Sequence, residues 1–474
     1  MFSITSNQLH QRLLLAVIAV GMFLDGLDGS IVTIILPQIA DSFGTDTGTV
    51  SWVIITYLLM MAGLILIIGK TAERGHIKSI FLIGLFVFAL GSAACGLSAN
   101  LEVLLGSRII QGIGAAMIAA TASLICVTYL PKEMLGMALG TISMSVSIGV
   151  AAGPAIGGFI AQYLSWHWAF LINVPVSIII ILLAFNVIPP DIKRENQSFD
   201  TIGAVFLFCF MATGVYVLER IPHLGIADIQ IMICTGICIV SLIGFMLHER
   251  RCQEPLIQLR IFEAFDFTAT FVAFLLFGCV YMGVLYLLPF FLQAGMNYDP
   301  VVSGLYLLIP PLLTAIIGVP MGSWSDRKGR RPFAIAGSLC IIAVTGAFMM
   351  IQPVSGFIPL LLALLCMGIF WGCAGGPVAS RVVETAPKGE EGTGSSLMVT
   401  AVYLGSVIGT ALFATFFTVG TATNGEIAFS DLNPDQFMQG FHTAMAVGFI
   451  LSLLALVLSA VVREQNRETL PDHD

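Results

Sequence analysis

The sequence predicts an all-α protein that crosses a membrane about fourteen times, and three observations carry that prediction. Its 474 residues are 57% hydrophobic and only 10% charged, too little charge to dress the surface of a soluble domain of this size. Apolar runs of about 20 residues, the length needed to cross roughly 30 Å of hydrocarbon as a helix, recur along the whole chain. Basic residues gather in every second gap between those runs, the asymmetry that the positive-inside rule describes.

The spans are expected near 13–37, 50–68, 80–97, 103–129, 136–163, 169–188, 202–218, 226–247, 267–291, 301–321, 333–351, 357–378, 395–419 and 445–462. Lys70, Arg74 and Lys78 follow the second span, Lys132 the fourth, and Lys193 and Arg194 the sixth. Arg250, Arg251 and Arg260 follow the eighth, and Arg327, Lys328, Arg330 and Arg331 the tenth. Arg381 and Lys388 follow the twelfth, Arg12 precedes the first, and Arg463 and Arg467 follow the last. Only Arg220 falls on the opposite side, and only Arg108 lies within a span. Both termini are therefore expected in the cytoplasm, with the protein in the cytoplasmic (inner or plasma) membrane. The run after Arg12 is too long for a signal peptide and contains two aspartates, so no cleavage is expected.

Glycine and proline, 48 and 20 of them, are tolerated in such spans because packed neighbours satisfy the freed backbone groups. Most of the ten cysteines sit in apolar runs, where Cys behaves as a small hydrophobe. Cys234 and Cys238 share a helical face, but no His or second Cys pair stands near them in sequence, so no metal is expected. A net charge of −8 without a basic surface argues against nucleic acid as a partner. Gly63 with Gly69, Lys70 and Thr71 imitates a phosphate loop, but the glycines are one residue too far apart and lie in a span, so ATP is not expected. No nucleophile–base motif suggests an enzyme.

Asp25 and Asp28 lie about 18–23 Å along the first helix from its start, on overlapping faces. Acids inside a membrane are expensive and face a cavity or a partner. Desolvation and mutual repulsion favour a proton on at least one of them, which suits a carboxylate that gains and loses protons. A structural acid bonded to a neighbouring helix is the alternative. Arg108 is placed to pair with one of them or to bias their proton affinity. Tyr57, Gln111, Trp371 and Tyr403 are candidate cavity residues, set against the ordinary packing role of aromatics in spans.

Two loops repeat. Gly322, Asp326, Arg327, Gly329, Arg330 and Arg331 match G-x-x-x-D-R-x-G-R-[RK]. Gly69, Glu73, Arg74, Gly75 and Lys78 form a weaker copy, with Glu for Asp and the second Gly one place early. A repeat after the second and tenth spans implies two homologous halves. The fourth span reads R-x-x-Q-G-x-G from Arg108 to Gly114, and the first reads L-D-G-S-I-V from Leu27, closing on Leu36-Pro37. Gly140, Gly149, Gly153, Pro154, Gly157 and Gly158 fit G-x8-G-x3-G-P-x2-G-G, and W-H-W-A-F-L-I-N-V-P runs from Trp166 to Pro175.

Together these resemble the major facilitator superfamily, and in it the fourteen-helix drug:proton antiporters. The resemblance implies six-helix bundles at 1–190 and 256–474, joined by a linker and an inserted helix pair at 191–255. It also implies a proton-coupled exporter of small amphipathic compounds working by alternating access, with protons as the coupling ion and no cofactor. Asp25, Asp28 and Arg108 are its expected coupling and substrate residues, Asp28 occupying the family position. The repeated loops would gate the cytoplasmic side, and the glycine stripe would form a seam between the bundles. A monomer in the bilayer is expected. The alternatives are an uptake symporter or facilitator for a metabolite and, from a different class, a sensor that transports nothing.

Overall fold

The computed structural model describes residues 8–191, 200–252, 255–352, 356–387, 390–421 and 428–462. Lys193, Arg194, Lys388, Arg463 and Arg467, used above to orient the chain, lie outside the described residues, as does the side chain of Lys132. Fourteen helices are long and apolar enough to cross a membrane, and the described residues contain no strand. They are α1 Gln8–Phe43, α2 Thr47–Glu73, α3 Ile77–Gly96, α4 Leu101–Tyr129, α5 Leu135–Tyr163, α6 Trp168–Val187, α7 Thr201–Leu224 and α8 Ile229–Glu249. After these come α9 Phe265–Gly295, α10 Pro300–Lys328, α11 Arg331–Met350, α12 Phe357–Glu384, α13 Glu391–Gly420 and α14 Pro434–Val461.

Two boundaries differ from the hydrophobic reading, each for a local reason. The last helix begins at Pro434 rather than near residue 445, because Asn433 and Gln436 form a reciprocal capping box with Pro434 in the first turn, a start signal independent of hydropathy. On the basic face, α2, α10 and α12 continue past the apolar run to Glu73, Lys328 and Glu384. Gly69, Glu73, Gly322, Asp326 and Arg327, read above as loop residues, are therefore helical. The turns come at Gly75 (φ +100°) and Gly329 (φ +88°), left-handed positions that glycine fills without a Cβ clash. The early glycine of the first copy is thus the turn residue itself.

The helices pack as two sets of six with matching partners. Helix α1 lies on α5 as α9 lies on α13, α3 on α4 as α11 on α12, and α2 on α4 as α10 on α12. The halves meet along two equivalent seams, α5 with α10 and α2 with α13. The inserted pair α7–α8 packs together, and α7 leans on α2 and α13 at the second seam.

Small residues set these distances, since lipid offers no hydrophobic drive for helices to associate. A Cβ on Gly149, Gly153 or Gly157 would overlap Phe23, Ser30 or Ile34 of α1. In the other half, Gly405 and Gly409 of α13 stand in the same way against the backbone of Leu275 and Cys279 in α9. The glycine stripe of α5 thus packs mainly inside its own bundle. Only its end reaches the seam: Gly158 meets Pro300, and Gly304 of α10 meets the Pro154 carbonyl. Gly140 faces open space.

Hydrogen bonds join the bundles at the face away from the basic residues. There Gln293 Nε2 donates to the Ile34 carbonyl at 2.9 Å, and Val301 N to Gln162 Oε1 at 3.2 Å. Tyr286 donates to the Thr47 carbonyl, and Phe429 N to the Thr45 carbonyl at 3.1 Å. At the basic end, Gly136 and Gly140 of α5 and Gly318 and Gly322 of α10 have nothing near the position of a Cβ.

Candidate functional site

The polar residues expected in the first and fourth helices meet in the middle of the N-terminal bundle. Arg108 of α4 is 1% exposed and Asp28 of α1 is fully buried. Arg108 Nη1 sits 2.6 Å from Asp28 Oδ2 and donates also to Gln111 Oε1 at 2.6 Å, while its Nε donates to the Val53 carbonyl of α2 at 2.9 Å. The guanidinium lies over the Tyr57 ring, 4.2 Å from its centroid, a favourable placement for a cation. Asp28 Oδ1 accepts from Gln111 Nε2 and from Asn173 Nδ2 of α6, both at 2.7 Å. Gln111 Nε2 reaches Ser92 of α3 at 2.8 Å as well. One carboxylate thus gathers α4 and α6 onto α1, and Arg108 and Gln111 extend the network to α2 and α3.

The glycines of the α4 motif make this reach possible. A Cβ on Gly112 would press on Tyr57 of α2, and one on Gly114 would overlap the Phe88 backbone of α3. Gly91 of α3 passes against the backbone of Gln111. Gln111, expected to line a cavity, is instead fully buried in the network, because its amide completes the shell around Asp28.

Asp25 is held differently. It is 7% exposed, and its hydrogen-bond partner is the neutral Tyr57 hydroxyl, which donates to Oδ1 at 2.8 Å. Tyr403 of α13, in the other bundle, lies within electrostatic reach of Asp25. The two aspartates are three residues apart, yet one is neutralised by a guanidinium and two amides while the other meets a single hydroxyl.

Trp371 lies on α12 in the C-terminal half, away from this network. Its ring stacks on Tyr281 of α9 with centroids 4.7 Å apart and planes 22° apart, and meets Phe274 and Phe370. Trp371 and Tyr281 are each partly exposed. At the basic face Arg330 joins Asp326 (3.1 Å) and Glu384 (2.7 Å), a pairing within the C-terminal bundle. Asp191 caps α3 from the end of α6, accepting from the Lys78 and Ser79 backbone at 2.7 and 3.0 Å.

The sequence profile of the Major Facilitator Superfamily matches residues 18–410. This chain belongs to that superfamily. It is a multi-pass membrane transporter of small molecules and not an enzyme. It is 30% identical over 414 residues to the riboflavin transporter RibZ of Clostridioides difficile, covering 87% of this chain and 89% of that one. It is 29% identical over 469 residues to MdtD of Pectobacterium carotovorum, whose name assigns it to multidrug resistance, covering 98% and 99%. Among solved facilitators, a bacterial homologue of the lysosomal transporter Spinster shares the fold, with a TM-score of 0.68 at 15% identity and coverage of 96% and 98%. The peptide transporter POT does so with a TM-score of 0.67 at 17% identity and coverage of 95% and 94%.

Several facilitator residues of this site carried no individual role in the sequence. Asn173 stood inside the W-H-W-A-F-L-I-N-V-P run, but its bond to Asp28 spans 145 residues. Ser92 and Tyr281 had no motif at all. Glu219 of α7 also went unnoticed: it is 1% exposed, accepts from Trp52 Nε1 of α2 at 2.7 Å, and lies beside Arg220 at 3.3 Å. Arg220, the exception to the basic asymmetry, thus has an acidic neighbour.

Proposed function

We propose that this facilitator is a proton-coupled exporter of small amphipathic compounds in the cytoplasmic membrane, with its basic face in the cytoplasm and Asp25 as the exchanging carboxylate. The observation that carries this reading is the contrast between the two acids. Asp28 already has a cation and two amide donors, so removing its charge would leave Arg108 buried and unpaired, which is strongly unfavourable. Asp25 has one neutral hydroxyl, so protonation there disturbs no ion pair. A buried acid in that position can hold a proton or the positive end of a substrate, but not both at once. In this reading Asp28 and Arg108 position the helices around Asp25, and the proton displaces the compound toward the outside before the carrier resets. The multidrug-resistance name of the MdtD relatives supports the substrate class.

The test is proton movement in sealed inverted vesicles containing the purified protein, energised with a pH gradient and challenged with lipophilic cations. The wild type is expected to dissipate the gradient on adding substrate. Asp25→Asn is expected to lose that response and to bind the cation more weakly, with affinity that no longer depends on pH. Wild-type coupling in Asp25→Asn would remove Asp25 from the mechanism, and coupling that survives Asp25→Asn with Asp28→Asn together would remove the mechanism.

A second reading, uptake of a flat aromatic metabolite, rests on the RibZ relative, named as a riboflavin transporter, and on the stacked Trp371–Tyr281 pair. The direction of accumulation in intact cells separates the two, inward for riboflavin or outward for the drug.

A further inference from the structure

The inserted helix pair carries a cluster at its basic end that the transport site does not use. Asp200 precedes α7 and caps it, its Oδ1 accepting from Gly203 N at 2.8 Å. His248, in the last turn of α8, places Nε2 2.6 Å from the same oxygen. Cys252 follows one turn later, its backbone N bonded to the His248 carbonyl at 2.9 Å. One oxygen of Asp200, one ring nitrogen of His248 and the sulfur of Cys252 all lie within 4.8 Å of one another.

A second observation points to a ligand. The Asp200 side chain is 2% exposed, and Glu249 is 4% exposed. Asp200 Oδ2 and Glu249 Oε1 are both buried and face each other, with no donor from any other residue. Both crowd the space above Gly203, where a Cβ would overlap Asp200 Oδ2 and come within 2.7 Å of Glu249 Oε1. Two buried carboxylates that converge on one point need a proton or a cation between them. The nearby Lys70 ammonium is directed to the Pro255 carbonyl at 2.9 Å, and Glu249 Oε2 accepts from Ile257 N at 3.3 Å, so neither contact fills that point.

We propose that Asp200, His248 and Cys252, with Glu249 as the fourth ligand, form a site for a divalent transition metal of the zinc class. A mixed oxygen, nitrogen and sulfur set selects such a metal over calcium or magnesium, which take oxygen alone. Ligand atoms in a tetrahedral site with bonds of about 2.0–2.3 Å stand roughly 3.3–3.8 Å apart. The His248–Asp200 pair, now at 2.6 Å, therefore opens by about an ångström while the thiolate moves in, and Glu249, outside the group that lies within 4.8 Å, swings toward it. The bound ion would fasten the start of α7 to the end of α8 and, through Ile257, to the strand of chain leading into α9. The site depends on none of the residues assigned to proton exchange.

The experiment uses the full chain in nanodiscs, thiol-reduced, stripped with chelator and titrated with Co²⁺ as a spectroscopic stand-in. Expected are one equivalent bound, a thiolate-to-cobalt charge-transfer band, and displacement of that band by Zn²⁺. Cys252→Ser is expected to lose the band, and Cys238→Ser, away from the cluster, to keep it. Zn²⁺ is also expected to slow maleimide labelling of Cys252 at least tenfold in a variant retaining no other reactive thiol. The labelling decides the question if Cys252→Ser fails to fold. No band, a band that survives Cys252→Ser, or labelling indifferent to Zn²⁺ would overturn the site. A melting temperature raised by Glu249→Gln and indifferent to metal would show instead that the two carboxyls share a proton.

Discussion

The two bundles repeat one arrangement of helices and differ in what they bury. In the N-terminal half, Asp25, Asp28, Arg108, Gln111 and Asn173 are buried, and together they tie α1 to α2, α4 and α6. In the C-terminal half no acid is buried among the described residues, and the space between α9 and α12 is filled by Phe274, Phe277, Tyr281, Phe370 and Trp371. The glycine contacts are shared: Gly149 and Gly153 against α1 correspond to Gly405 and Gly409 against α9. Close helix packing is thus common to both halves, whereas buried carboxylates are confined, among the described residues, to the N-terminal one and the inserted pair. That division has a physical advantage. In the cycle proposed above, an aromatic half would change its surroundings without desolvating a charge, while the charged half would keep its ion pair inside one bundle.

The strongest way to break this comparison is to unbalance the charged half. Arg108→Ala leaves Asp28 buried with two amide donors and no cation, a change expected to cost about 3–5 kcal/mol. Thermal unfolding in detergent is expected to show a large loss of stability, and Arg108→Ala combined with Asp28→Ala is expected to recover part of it. A variant as stable as the wild type would mean that the pair does not hold the N-terminal bundle together.

Next in size are the shared glycines. Gly153→Leu and Gly409→Leu each force a side chain into backbone or a hydroxyl across the α1–α5 or α9–α13 contact, where overpacking costs about 1–3 kcal/mol or more. Comparable losses of folded yield are expected from both. Gly140→Ala, which points into open space, is expected to change nothing in yield. A large loss from Gly153→Leu with none from Gly409→Leu would show that the halves do not share their packing.

How much of this was legible in the sequence follows the range of each interaction. The spans, the repeat and the inserted pair were readable because hydropathy and basic asymmetry are local signals that accumulate over 20 residues. Asp25, Asp28 and Arg108 stood out because a charge in an apolar run is anomalous on its face. Which aspartate meets Arg108 was not readable, because a spacing of three leaves both on overlapping faces and only the neighbouring helices decide. Gln111 was misplaced for the same reason. The glycines of α5 were visible as a stripe, but a stripe does not say which helix it faces. Gly405 and Gly409 carry the same spacing in α13 and were passed over for want of a motif. The start of α14 was legible in the Asn433–Gln436 capping pattern, which hydropathy alone obscures.

The smallest effect separates substrate contact from coupling. Trp371 stacks on Tyr281 at 4.7 Å, and aromatic pairs of this kind contribute about 0.5–1.5 kcal/mol beyond burial. Trp371→Phe keeps a ring in the stack but removes the indole's second ring, so the contact weakens without leaving a large cavity. If the aromatic half binds and the charged half couples, KM for an aromatic substrate rises about two- to tenfold. Protons moved per substrate, read from gradient collapse against substrate flux in the same vesicles, stay as in the wild type. Asp25→Asn is expected to give the converse for a neutral aromatic substrate, with binding retained and proton movement lost. A Trp371→Phe variant that altered the proton ratio would merge the two roles, because a neutral ring packed on Tyr281, Phe274 and Phe370, none of them an acid, can change coupling only by moving the acids of the other half.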